Sequence, residues 1–369
     1  MASHHKFGMV CYSRFFTSLG MLRNSFLSPS GQKTRVLLGA LSVTIGVSSL
    51  FLISRAGIKP VIKPMYRILE LGVLPGGEGN DPAQVNSLEQ VVGANNVGRD
   101  TNKGYLWDKG KLTQVASLGG VNCDPNAIND KGYIVGVSDT AKSASRAFIA
   151  FNGKTTALSL LSGKRSAARD INNRNEIIGW ADVEKYQRHP VLWDKKGIHD
   201  LTDVLTEKAE IQSINDRGDI LAHLLTRKGI RNVLYSQGKI IEIPTLGRSH
   251  NRANGLNNLG EVVGFIETKS DIHAFLYQKK TIDLGTLGGD YSVALSVNDR
   301  GEIVGRSSTK ADVVHACLWV KGKIFDLNDL IQNKEEWFLE SARHIGNSGA
   351  IVGDGKHNGK KAAYLLIPL

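Results

Sequence analysis

The sequence predicts an all-β chain: a seven-bladed β-propeller closed by its N-terminal strand and preceded by one N-terminal transmembrane or signal helix. Three observations predict it. A nine-residue phrase recurs seven times at near-constant spacing. Most copies are followed by a second, apolar phrase and a Gly-Lys turn. The two ends of the repeated region carry complementary fragments of one unit.

The phrase is clearest as INDKGYIVG (128–136), INNRNEIIG (171–179), INDRGDILA (214–222), LNNLGEVVG (256–264) and VNDRGEIVG (297–305). Weaker copies are VNSLEQVVG (85–93) and IGNSGAIVG (345–353). Its last position falls at 93, 136, 179, 222, 264, 305 and 353, a period of 41 to 48 residues. The second phrase ends at Trp107, Trp193, Tyr277 and Trp319, and a segment of the form L-G-x-L-G-G, clearest at Leu284–Gly289, leads into the next unit. Each unit therefore holds four short strand signals separated by turn residues. In the sixth unit they are Ser292–Asn298, Glu302–Arg306, His315–Val320 and Lys323–Leu327. Four antiparallel strands in a repeat of about 40–45 residues mark a propeller blade. Asn-Asp-x-Gly between the first two strands suits a type I turn closed by a left-handed glycine. The Asn and Asp side chains can bond the turn's own backbone, and the acidic density is too low for a calcium loop.

A linear solenoid would show the same repeat, and the ends separate the two. Tyr66–Gly72 (YRILELG) reads as a fourth strand with its exit, and Lys361–Pro368 (KAAYLLIP) as a third strand. A ring uses the first to complete the last blade, whereas a solenoid needs polar caps. The tryptophans that end the second phrase are expected to pack between blades.

Composition agrees with many tight turns. Of 369 residues 40 are Gly and 9 Pro, and 41% are hydrophobic. That excludes disordered and collagen-like chains. Three cysteines cannot form a disulfide framework, and Cys123 and Cys317 are expected on distant parts of the ring, with Cys123 just before the first strand of its unit. Charge is uneven. Residues 1–64 carry eight Lys and Arg and no acid, out of a total of +11. The remaining 305 residues hold 38 Lys and Arg (46 less 8) against 35 Asp and Glu, so the basic pI belongs to a leader and no nucleic-acid partner is indicated.

The expected organisation is a basic leader (1–35), an apolar helix (36–54), a linker (55–64) and the propeller (65–369). Val36–Ser54 is a run of 19 uncharged, mostly apolar residues bracketed by Arg35 and Arg55. That length fits one bilayer span, and the excess of basic residues before it favours an exported C-terminal body. If uncleaved, the run makes the membrane a partner. Ser54-Arg55-Ala56 also resembles a signal-peptidase site, Met21 offers an alternative start, and the acid-free composition also suits a transit peptide.

The combination L-G-T-L-G-G (284–289), V-N-D-R-G-E-I-V-G (297–305) and H-A-F/C-L-Y/W (273–277, 315–319) resembles the HAF repeat of bacterial extracellular proteins. The ending D-L-N-D-L-I (326–331), Glu336-Trp337 and Y-L-L-I-P is similar too. The resemblance covers about residues 66–369. It implies export and no particular enzymatic activity. The fourth unit departs most, with Ala222 for the glycine and LAHLLTRKGI in place of the usual loop.

One column stands out as a candidate site. The residue opening the third strand is Lys103, Arg146, His189, Arg231, His273, His315 and Lys361, basic or His in all seven units. Two readings follow: an anion-binding rim for an acidic glycan or protein surface, or a structural role in which each side chain bonds a neighbouring blade's loop serine or carbonyl. Arg248 and His250 join the candidates, because Arg248–Arg252 replaces the usual Gly-Gly at the entry to the fifth unit. No cofactor is expected. There is no zinc-type His/Cys spacing, no nucleophile motif and no nucleotide-binding glycine loop, and hence no catalytic residue to name. The expectation is a monomeric, non-enzymatic binding or scaffold propeller. A propeller lyase or hydrolase acting on an extracellular polymer, and a structural surface or adhesion module, stay open beside it.

Overall fold

A computed structural model describes residues 65–369, apart from 99, 185, 186, 207, 228, 245–249, 268 and 269. The chain divides into two units, Met1–Arg55 and Ala56–Leu369. The expected leader, apolar helix and linker (1–64) lie outside the described residues. Among the described residues no helix is long and apolar enough to cross a membrane.

The described chain is all-β, with twenty-eight strands, one short α-helix, α1 (Thr202–Leu205), and a 3-10 turn at Leu327–Asp329. The strands form five antiparallel sheets of four strands and one sheet of eight. In the sixth unit the strands are Gly288–Val297, Ile303–Thr309, Val314–Val320 and Lys323–Asp326, close to those predicted. The first begins earlier than the sequence suggests, because the Gly-Gly entry is itself extended. Cys123 accordingly falls inside the strand Gly119–Ile128 instead of before it. The early extension also lets Tyr291 form a single parallel bridge to Ile272, which joins the fifth and sixth units into the eight-stranded sheet.

Burial follows position in the sheet. The second strand of a unit is a continuous apolar run buried on both faces, as in Ile177–Asp182. The outermost strand, as in Lys239–Glu242, is exposed along its length. The core lies between successive sheets. One cluster joins Ala127, Val135 and Ala147 of the second unit to Ile171, Ile177 and Trp193 of the third. Another joins Val352 and Leu365 of the last unit to Val85, Tyr105 and Trp107 of the first. The tryptophans of the second phrase pack there as expected. Trp193 and Trp319 also donate their indole N–H to the carbonyls of Ser159 and Leu284 in the preceding connections, both at 2.9 Å.

The N-terminal strand Tyr66–Glu70 pairs antiparallel with Lys360–Pro368, Tyr66 opposite Pro368 and Glu70 opposite Tyr364. It is the fourth strand of the last sheet. Cys123 and Cys317 are free and buried, and burial pushes the Cys123 thiol up to about 12.

The glycine that ends the phrase is required by a close approach. A Cβ on Gly305 would lie 2.0 Å from the Val293 carbonyl oxygen, and one on Gly136 2.1 Å from that of Asp124. The partner strand bulges toward it at this point. In the fourth unit Ala222 fills the position, fully buried.

Candidate functional site

The first strand of every unit carries the same β-bulge. A bulge leaves one residue unpaired and re-aims its side chain. The residue skipped is the third before the first turn Asn, which is Gly346 in the last unit: Ala83, Asn126, Arg169, Gln212, Asn254, Leu295 and Arg343. All seven line one cavity of about 480 Å³ to which the first strand of every unit contributes. Two arginines and three amide side chains are thus among its lining. Asn126 and Asn254 donate to the carbonyls of Ala168 and Ala294 in the next unit, at 2.7 and 2.8 Å. Arg343 is tied to Asp81 at 2.7 Å and to Asp354. Arg169 is exposed, with no carboxylate partner among the described residues.

The turns between the first and second strands line the same cavity. Each turn Asn bonds its own backbone, as predicted: Asn298 accepts from the N–H groups of Arg300 and Glu302 at 3.1 and 3.0 Å. Its amide also reaches across units, which the sequence reading did not foresee. Asn86 donates to the Asn129 carbonyl, Asn129 to Asn172, Asn172 to Asn215, Asn215 to Asn257 and Asn257 to Asn298, each at 3.0 Å. Asn298 completes the run with Gly346 at 3.3 Å. The next residue forms a second belt: the backbone N–H of Ser87 meets Asp130, Asp130 meets Asn173, Asn173 meets Asp216, and so on to Asn347.

His344 lies in the same cavity lining. Its ring nitrogens face the Val85 N–H at 3.4 Å and the Gln84 amide nitrogen at 3.3 Å. Enclosure lowers its pKa from 6.5 to about 4, against the opposing pull of the Val85 bond and Asp130. An imidazolium would donate from both nitrogens and find no acceptor there. The folded chain therefore refuses a proton that the unfolded chain accepts between pH 6.5 and 4. Stability is complete above 6.5 and falls as pH drops through that window, by on the order of 3 kcal/mol. His344→Gln is expected to flatten this part of a urea-denaturation series against pH. An unchanged slope in the variant would refute the assignment.

The predicted rim residues find their partners mostly within their own units. Four of its seven members pair with a carboxylate on the outermost strand or its exit in their own unit. His189 meets Asp200 at 2.7 Å, His273 meets Asp283 at 2.8 Å, His315 meets Asp326 at 2.5 Å and Arg231 meets Glu242 at 2.6 Å. Arg146 donates to the Leu158 carbonyl at 2.7 Å, and its burial lowers its pKa. Lys103 is half-buried and Lys361 exposed. None of the seven lines the central cavity. Arg248 and the side chain of His250 lie outside the described residues. The four acid partners were visible in the sequence as an Asp or Glu ten or eleven residues after His189, Arg231, His273 and His315. The cavity residues were visible only as the position three before the turn Asn, whose chemistry varies from unit to unit.

Among the described residues no group of three His, Cys, Asp or Glu is arranged to hold a metal. No family model and no curated protein matches the chain. Solved structures do. Selenomethionine-substituted virginiamycin B lyase from Staphylococcus aureus is 11% identical with a TM-score of 0.52, over 82% of this chain and 99% of that one. The β-propeller domain of the Trilobed protease from Pyrococcus furiosus is 11% identical with a TM-score of 0.40, over 68% and 96%. TolB from Acinetobacter baumannii is 12% identical with a TM-score of 0.45, and the match spans 75% of this chain and 63% of TolB. Likeness at these identities shows the fold alone, a β-propeller.

Proposed function

We propose that the chain is a seven-bladed propeller, exported or tethered to a membrane, that binds an acidic glycan at the mouth of its central channel without transforming it. The observation that carries this reading is the bulged ring. Arg169 offers a planar fork suited to a carboxylate, Arg343 stands beside it held by Asp81 and Asp354, and Asn126, Gln212 and Asn254 add amides suited to hydroxyls, all on one cavity of about 480 Å³. Lys103, Arg146 and Lys361 on the rim add positive potential that steers anions toward it. An acidic protein surface could meet that rim, but a narrow glycan end fits the cavity better. Seven copies of the repeat, and packing of the last unit on the first, support the blade count. The basic leader, the 36–54 run and the likeness to HAF repeats support export.

The test is an array of acidic and neutral oligosaccharides probed with the full chain in detergent. Acidic glycans should be retained, and retention should weaken steeply with salt because the contacts are spread over several exposed charges. A reporter active only in oxidising compartments should be active when fused after Leu369. Equal retention of neutral and acidic glycans would refute the ligand class, and cleaved product would refute the absence of catalysis.

A further inference from the structure

The entry to a unit normally covers the end of that unit's second strand. A Cβ on Gly120 would meet Asp139 at 2.6 Å, one on Gly163 the Asp182 oxygen at 2.4 Å, and one on Gly289 the Ser308 hydroxyl at 2.2 Å. Leu118 and Leu287 add bridges to Thr140 and Thr309. The fourth unit has no such glycine and is entered through α1. Its equivalent residue is Leu225, which stays 41% exposed. The seam between the third and fourth units is correspondingly open, as a groove of about 620 Å³ with Leu225 and Trp180 in its wall. That size is typical of small-molecule sites, about 300–1,000 Å³.

The groove is strongly cationic. Arg169, Arg188, Lys208 and Arg252 line it with one acid, Glu210. Glu210 is already held by Arg252 at 2.9 Å. The Arg188 guanidinium lies 4.1 Å over the Trp180 ring, which holds its charge in place beside an aromatic surface. Asn126, Arg169 and Gln212 line both this groove and the central cavity, so the two adjoin there. An apolar wall beside unpaired cations suits a ligand with an apolar face and an anionic edge, and a uronic sugar has both. Its C–H face packs on an apolar surface such as Leu225, and its carboxylate accepts from guanidinium and ammonium donors.

We infer that this groove is the sugar subsite, seating one uronic residue against Leu225 beside the stacked Arg188–Trp180 pair, with its carboxylate on Arg169 and Lys208, while the next residue reaches toward the channel mouth. The inference rests on the acidic-glycan reading above and gives it a location. The specific determinant is Leu225, where the second and third units carry Asp139 and Asp182. Leu225→Asp restores the residue the repeat already tolerates, so the fold should survive it.

The experiment is calorimetric titration of the full chain in detergent with trigalacturonate and with its methyl ester. The acid should bind and the ester should bind at least about tenfold more weakly, as expected for loss of a charge-assisted bond. Leu225→Asp and Trp180→Ala should each weaken binding of the acid about tenfold or more, with the melting temperature of Leu225→Asp unchanged. If Arg343→Gln abolishes binding while both groove variants bind like the wild type, the sugar sits in the channel alone; the groove is then refuted and the glycan reading stands. If the wild type binds neither trigalacturonate nor any acidic glycan of the array at millimolar concentration, the glycan reading itself falls and the groove with it.

Discussion

Deleting residues 1–72 is expected to destroy cooperative folding, whereas deleting 1–62 should leave the melting temperature unchanged. The longer deletion removes Tyr66–Glu70, the fourth strand of the last sheet. With it go Tyr66 and Leu71, which are 5% and 3% exposed, and the packing of Ile68 and Leu69 against two core clusters. Each buried side chain of this size is worth about 1.5–3 kcal/mol, so the loss is on the order of 5 kcal/mol or more. That is a large part of the roughly 5–15 kcal/mol that holds a typical protein together. Backbone contacts add to it: Met65 N–H donates to the Leu330 carbonyl at 2.7 Å, and Leu369 N–H donates to Met65 at 3.0 Å. Lys360–Pro368 would be left as an uncovered edge, a template for pairing with another copy. The longer deletion should therefore aggregate at concentrations where the shorter one is soluble, and a synthetic peptide spanning residues 65–72 should suppress this. Equal melting of the two truncations would show that closure does not depend on this strand.

That strand was legible in the sequence because its absence elsewhere was legible: the last unit lacks a fourth strand and the chain body begins with one. The four-strand unit was legible for the same kind of reason. Every copy needs the same turn and the same buried run, so Asn-Asp-x-Gly and its apolar flank repeat. The candidate site was not. The bulge that turns Arg169 and Gln212 inward is set by one unpaired backbone residue, and the pattern of apolar residues around it looks like an ordinary strand. The residues at that position share no chemistry, because each answers to the cavity and not to its own unit. The rim column was legible for the opposite reason. In four of the seven units the column residue faces an acid on its own outermost strand, as His315 faces Asp326, so part of its regularity reports pairing within the unit. The groove at Leu225 required knowing what covers the same place in the other units, and that covering loop is joined to its target only by the tertiary structure.

The turn Asn allows the local and the long-range readings of the repeat to be separated. Asn172 accepts from the N–H groups of Arg174 and Glu176, both at 3.0 Å. It donates to the Glu176 carboxylate at 2.7 Å and to the Asn215 carbonyl of the next unit at 3.0 Å. Asn172→Ala removes all four bonds at a position only 3% exposed. With about 0.5–1.5 kcal/mol for each, the expected loss is about 3 kcal/mol. Asn172→Asp is the sharper probe. If the residue served its own turn alone, Asp would replace it at little cost, since Asp caps such turns equally well. Across the seam, however, Asp has no amide to donate, and it sets a carboxylate against the Glu176 carboxylate and the Asn215 carbonyl. At pH 7 its loss should equal or exceed that of the Ala variant. Those neighbours raise the pKa of the new carboxyl above its unfolded value. The Asp variant should therefore recover as pH falls, when a protonated carboxyl can donate again, and lose stability as pH rises through the folded pKa. Urea denaturation of the three proteins at pH 7 and pH 5 measures this. An Asp variant within about 0.5 kcal/mol of the wild type at pH 7, the range of an ordinary surface change, would mean that the belt contributes nothing and that six of the seven copies carry Asn at this position for the turn alone.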